Sequence, residues 1–161
     1  PLQKSLDGHR YMQTFVDLST RDVLPFFSKT KSSACTAENL RKYKKLRGPP
    51  SLLKSDNGTE FKGFFEKEVE KDGTQRRFSP PYTPALNGGV EVMNRVILQS
   101  VACILYDAGM SREWWTHAAN YVCYTLNRTP RGVLEGKTSH EPVANSHDKI
   151  VAIEGYTIIN P

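Results

Sequence analysis

The chain has 161 residues, 38% of them apolar and 24% charged, with a net charge of +5, which is ordinary for one globular domain with a real core. It holds no run of eighteen apolar residues and no apolar segment near PLQKSLDGHR, so neither a membrane-spanning helix nor a signal peptide is expected. Cys35, Cys103 and Cys123 are widely spaced and form no ligand pattern with His9, His117, His140 or His147; this excludes a disulfide framework or zinc site and favours a reducing, intracellular setting.

Arg10 to Asp17, RYMQTFVD, alternates as a strand buried unequally on two faces. After a short polar turn, DVLPFFS reads as its hairpin partner, and Pro25 places that strand at an edge or bulge. Ala34 to Leu46 has Leu40, Tyr43 and Leu46 at helical spacing and is strongly basic; Gly48-Pro49-Pro50 ends it. SLLKSD, between two helices, is predicted as a parallel strand. Phe61 to Lys71 has helical period and stops at Asp72-Gly73; TQRRFS is a polar strand, and Pro80, Pro81 and Pro84 force an extended loop. Asn87 to Asp107 is a long helix with an apolar stripe through Val90, Met93, Ile97, Val101 and Leu105. Ser111 is the expected N-cap of a second helix running to Leu126. Thr138 and Glu141 fit a capping box, and IVAIEGYTII near the end is β-like. The pattern is α/β with a mixed sheet.

Two carboxylates stand out. Asp56 closes the SLLKSD strand, at the sheet rim where α/β proteins place their sites. Asn57-Gly58 alone would read as a hairpin turn, but Phe61, Phe64, Phe65 and Val69 keep helical period. Glu91 opens the long helix, with Asn87, Asn94 and Arg95 on the same predicted polar face. Taken alone it reads as an exposed ion pair with Arg95; it gains significance only beside Asp56.

The segments SDNGTEF (55–61) and PYTPALNGGVEVMNR (81–95), followed by WWTHAAN, LNRTP and GKTSHE, resemble the integrase core of copia-type retrotransposons, a branch of the retroviral integrase superfamily. RYMQTFVDLSTR is similar to that family's second strand and turn. Each motif is weak; their order and spacing are specific, with 34 residues between Asp56 and Glu91. The resemblance implies an RNase H-like fold: a central mixed sheet flanked by helices, with the first strand largely missing. It spans residues 1–145, and 146–161 is then expected as a tail leading into the rest of a polyprotein. It further implies 3′-end processing and strand transfer of DNA by two Mg²⁺ or Mn²⁺ ions held by Asp56 and Glu91, since hard cations favour carboxylate oxygens. Element ends and target DNA are the implied partners, with Lys54, Tyr82, Asn87, Asn94 and Arg95 as candidate DNA contacts. A homo-oligomer, no membrane, and a nucleus or virus-like particle setting follow for the parent element.

The match breaks in places. The family's first catalytic Asp lies upstream of a point resembling Pro1-Leu2, and Asp17 and Asp7 are poor replacements. Ala85, Leu86 and Val92 stand where relatives carry polar or basic residues. This chain alone is therefore expected to be inactive or nearly so. The alternative is a non-catalytic nucleic-acid-binding or interaction module derived from a retroelement. The basic run Lys42, Lys44, Lys45 and Arg47 reads as a solvated helix face more readily than as a phosphate contact.

Overall fold

A computed structural model describes residues 4–78, 84–130, 132–139, 149–153, 155 and 157–158, giving the backbone alone at 84–88, 133 and 157–158. Strands β1 (Tyr11–Asp17) and β2 (Val23–Ser28) form the predicted hairpin, with Thr14 opposite Pro25. Pro25 cannot donate to a ladder, and β2 is accordingly an edge strand. Asp17 makes the turn: its Oδ1 accepts the amides of Ser19 at 2.8 Å and Thr20 at 3.1 Å. Helix α1 (Ser33–Arg47) is capped by Ser32, whose hydroxyl accepts the Cys35 amide. β3 (Leu52–Ser55) then pairs in parallel with β4 (Gln75–Phe78).

Between β3 and β4 the predicted single helix is divided. A 3₁₀ turn covers Thr59–Phe61, and α2 (Phe64–Glu70) starts only after Gly63, whose φ is +59. A left-handed residue interrupts helical hydrogen bonding, yet the period survives across the break: Phe61 and Phe65 are both fully buried, edge to face at 5.3 Å. Gly73, at φ +67, follows α2 as expected. The proline loop at 79–83 lies outside the described residues, as does Glu141 of the capping box.

Helix α3 (Pro84–Asp107) starts three residues earlier than the sequence suggests. Its Gly89–Asp107 stretch is, contrary to the count of apolar runs, long and apolar enough to cross a membrane by length and composition; here Val90, Ile97, Val101 and Leu105 pack into the core. Ser111 makes no side-chain cap. It precedes a 3₁₀ turn at Arg112–Trp114, after which α4 (Trp115–Arg128) begins.

The sheet order is β2-β1-β5-β3-β4, where β5 is Ile150–Ile153; a short β6 (Thr157–Ile158) also pairs with β1. β5 runs antiparallel to β1 and parallel to β3. The expectation that 146–161 trails away from the core is corrected here: its IVAI segment completes the centre of the sheet. The physical reason is burial. Val151, Ala152 and Ile153 are almost wholly enclosed, and β5 satisfies strand edges of β1 and β3 that would otherwise face each other unpaired.

Side-chain alternation divides the core in two. Met12, Val16 and Ala152 pack with α3 and α4; Phe15, Leu53, Val151 and Ile153 pack with α1 and α2. Both faces of β1 are therefore buried. The result is a three-layer α/β/α domain with a mixed sheet.

Candidate nucleic-acid and cation site

Asp56 directly follows β3 and is exposed. It ends a parallel strand at the rim of the sheet, as its place in SLLKSD predicts. Its Oδ1 accepts the Gly58 amide at 2.8 Å, an Asx turn that steers the chain into the 3₁₀ turn rather than into a hairpin. Gly58 has φ −62, which any residue tolerates; the glycine is required for room. A Cβ there would stand 2.9 Å from Asp56 Oδ1 and 2.5 Å from Glu60 Oε2. At Gly155, after β5, a Cβ would stand 3.3 Å from Asp56 Oδ2 and 3.1 Å from Glu60 Oε1. Asp56 and Glu60 thus share one small space, closed by the backbone of two glycines.

Glu60 was quoted in the motif but given no role by the sequence reading. It is buried, with Lys31 Nζ 3.4 Å from its Oε1. A usable signal was present: Asp and Glu four residues apart at a strand-to-helix turn, with a glycine between them.

Glu91 is exposed near the start of α3. The neighbour seen at this end of the helix is Arg21, whose Nη1 lies 3.4 Å from where a Cβ on Gly89 would sit. Arg21 belongs to the β1–β2 turn. The register Asp17–Val151–Leu53 puts that turn beyond the N-terminal ends of β3 and β5, whereas Asp56 lies beyond their C-terminal ends. No described contact joins Glu91 to Asp56. Among the described residues no three His, Cys, Asp or Glu side chains gather to hold a metal.

The other candidates separate clearly. Lys54 is half-buried and pairs in register with Arg77, which is exposed. Like charges opposite each other on a sheet are unfavourable, so this pair creates local positive potential two residues from Asp56. By alternation against Leu53, Lys54 lies on the sheet face that α3 and α4 cover. Arg95 is exposed, whereas Asn94 is 5% exposed; the expected polar face of α3 fails at Asn94, which is packed rather than offered to DNA. The side chain of Asn87, and all of Tyr82, lie outside the described residues.

Most of the basic run on α1 is engaged in ion pairs. Arg47 meets Asp22 at 2.6 Å, Lys44 pairs with Asp72 and lies 3.6 Å from Glu68, and Arg41 is 3.2 Å from Glu68. Arg76 bonds Glu66 at 3.2 Å and stacks on Phe78. These cations support the fold. Burial pushes the Glu68 carboxyl up, but its hydrogen bond from Lys71 and the charges of Lys44, Lys71 and Arg41 outweigh that and hold it below the usual carboxylate range.

Comparison with known proteins follows this geometry. No family model matches the chain. It is 30% identical over 169 residues to the Retrovirus-related Pol polyprotein from transposon TNT 1-94 of Nicotiana tabacum, covering 95% of this chain and 12% of that protein. It is 31% identical over 135 residues to the Pol polyprotein from transposon RE1 of Arabidopsis thaliana, covering 81% of this chain and 9% of the relative. The chain thus spans only a small part of these polyproteins. Among solved structures, the HTLV-2 integrase catalytic core domain in complex with magnesium superposes with a TM-score of 0.68 at 22% identity, covering 86% of this chain and 88% of that one. The simian T-cell lymphotropic virus intasome, solved with the PP2A regulatory subunit B56 gamma, gives 0.73 at 19% identity, over 90% of this chain and 53% of that one.

Proposed function

Because the chain is a homologue of retrotransposon Pol polyproteins and has the RNase H-like fold of a retroviral integrase catalytic core, we propose that it is the core segment of an integrase, which joins the ends of a retroelement to target DNA. The observation that carries this reading is the placement of Asp56. An exposed carboxylate ends a central parallel strand beside a second acid, and the basic pair Lys54–Arg77 stands two residues away.

The donor set fits a hard divalent cation. Carboxylate oxygens suit Mg²⁺ or Mn²⁺, and the three cysteines take no part. Asp56 and Glu91 are the residues that would hold it, with Glu91 approaching Asp56 from α3. Bound there, two such ions would polarise the scissile phosphate and lower the pKa of an attacking hydroxyl or water. The chain's own contribution is positional. Lys54, Arg77 and Arg95 offer cationic contacts to backbone phosphates, fixing the DNA without reading its sequence. The Asx turn at Asp56 holds the carboxylate at the rim, and β5 supplies the wall against which it sits. DNA ends, target DNA and further copies of the protein are the partners proposed for the parent protein, acting in the nucleus or a virus-like particle.

With two family carboxylates in place and the first not recognisable, this segment alone should bind DNA but transfer strands poorly. The test adds upstream sequence carrying an Asp before the Gly-Pro of the family pattern. Strand transfer of labelled oligonucleotides in Mg²⁺ or Mn²⁺ should appear. Asp56→Asn or Glu91→Gln should then reduce it by at least about a hundredfold, the scale of several kcal/mol of metal-derived stabilisation. Robust transfer by the extended Asp56→Asn protein would overturn the assignment.

A further inference from the structure

We propose, resting on the cation reading above, that Glu60 is a positioning residue of the Asp56 site and that Lys31 neutralises it when no divalent cation is bound. The inference starts from an energetic oddity. Glu60 is 6% exposed, and its ion-pair partner Lys31 is 48% exposed and 3.4 Å away. Burying a carboxylate is unfavourable unless it is well paired, and a half-exposed lysine is a weak partner.

Geometry gives the burial a purpose. Glu60 Oε2 and Asp56 Oδ1 lie 2.5 and 2.9 Å from one point beside Gly58, so they are no more than 5.4 Å apart. Oxygens bound to one Mg²⁺ sit about 2.1 Å from it, and the ion usually keeps several waters. A cation on Asp56 therefore lies within reach of Glu60, directly or through one of its waters. Both glycines around the pair act by leaving space: any side chain at Gly58 or Gly155 would press on these oxygens. Lys31 comes from the β2–α1 connection, outside the strand-to-helix turn that carries both acids. Its ammonium stands on the same Glu60 oxygen that faces Gly155. A divalent cation would compete with it for that negative charge.

The test titrates the whole chain with Mn²⁺, reading free Mn²⁺ by electron paramagnetic resonance and unfolding midpoints without metal. Glu60→Gln and Lys31→Met break the same ion pair, so both should lower the metal-free midpoint. Their effects on Mn²⁺ should be opposite: about tenfold weaker for Glu60→Gln, and two- to fivefold tighter for Lys31→Met, the range of an exposed pair. Glu60→Asp should recover part of the loss. A merely structural pair would move Mn²⁺ affinity the same way in both variants, and that result overturns the proposal. If Asp56→Asn abolishes binding while Glu60→Gln and Lys31→Met leave it unchanged, the Glu60 proposal fails and the Asp56 assignment survives. If the unaltered chain does not bind Mn²⁺, both fail together. Should Glu60→Gln not fold, Lys31→Met decides alone: tighter binding supports the proposal, and weaker or equal binding overturns it.

Discussion

Replacing Asn127 by alanine should remove the clamp that seats α4 on the edge of the sheet. Asn127 Nδ2 donates to the Val23 carbonyl at 2.9 Å, and the Val23 amide donates to Asn127 Oδ1 at 2.9 Å. Asn127 is 3% exposed and Val23 fully buried. The side chain thus acts as a one-residue strand pairing the first position of β2. Each bond contributes about 1 kcal/mol net, and each backbone group left buried and unpaired costs a further 1–3 kcal/mol unless water reaches it. With partial access for water at the new cavity, the loss should be about 2–4 kcal/mol, a large share of the 5–15 kcal/mol typical of such a domain. For a chain of this size that is roughly 5–15 °C in melting temperature. Urea unfolding followed by the fluorescence of buried Trp115 measures it. Asn127→Asp sharpens the result: its carboxylate still accepts the Val23 amide but faces the Val23 carbonyl, so it should lose as much at neutral pH and recover as the acid protonates. A loss below about 0.5 kcal/mol for Asn127→Ala, at unchanged denaturant slope, would refute the clamp.

Further outcomes concern charge. His9 is held below its usual range, chiefly by burial, with Lys29 and Lys42 adding to it and Asp7 opposing. The folded state therefore binds its proton less readily, and stability should fall as pH drops below 6.5. Glu68, also lowered, contributes stability above 4.5 that is lost as pH falls through its folded-state value. His9→Phe should flatten the first decline in a pH series of urea midpoints, and Glu68→Gln the second. If DNA follows the Lys54–Arg77 pair, Lys54→Ala and Arg77→Ala should each weaken oligonucleotide binding and reduce the slope of log K against log salt by about 1. An unchanged slope would place the DNA elsewhere.

Local chemistry was legible wherever one segment decides its own conformation. Pro25 marked an edge strand, Gly73 a left-handed stop, and the period of Phe61, Phe65 and Val69 a helix rather than a hairpin. Gly63 was misjudged because apolar period continues across it; the two phenylalanines reach the same core from either side of a broken helix. Ser111 has a capping residue's chemistry, but a 3₁₀ turn lies between it and α4. The place of β5 was not readable, since an apolar IVAI specifies a strand and not its partners. Its neighbours β1 and β3 lie about a hundred residues earlier in the chain. At the site, Asp56 was found from its strand end. Glu60 was passed over because a buried acid beside another acid contradicts simple pairing rules. Asn94 was misplaced because a predicted polar face says nothing about what packs against it.

The central claim is that Asp56 and Glu91 serve one cation-binding centre. The direct measurement is paramagnetic broadening of backbone amides by trace Mn²⁺ in the isotope-labelled chain. The account predicts strong broadening at both Asp56 and Glu91, lost from both on Asp56→Asn or Glu91→Gln. Broadening confined to residues 56–60 and 155, with the start of α3 untouched and Glu91→Gln without effect, would contradict it.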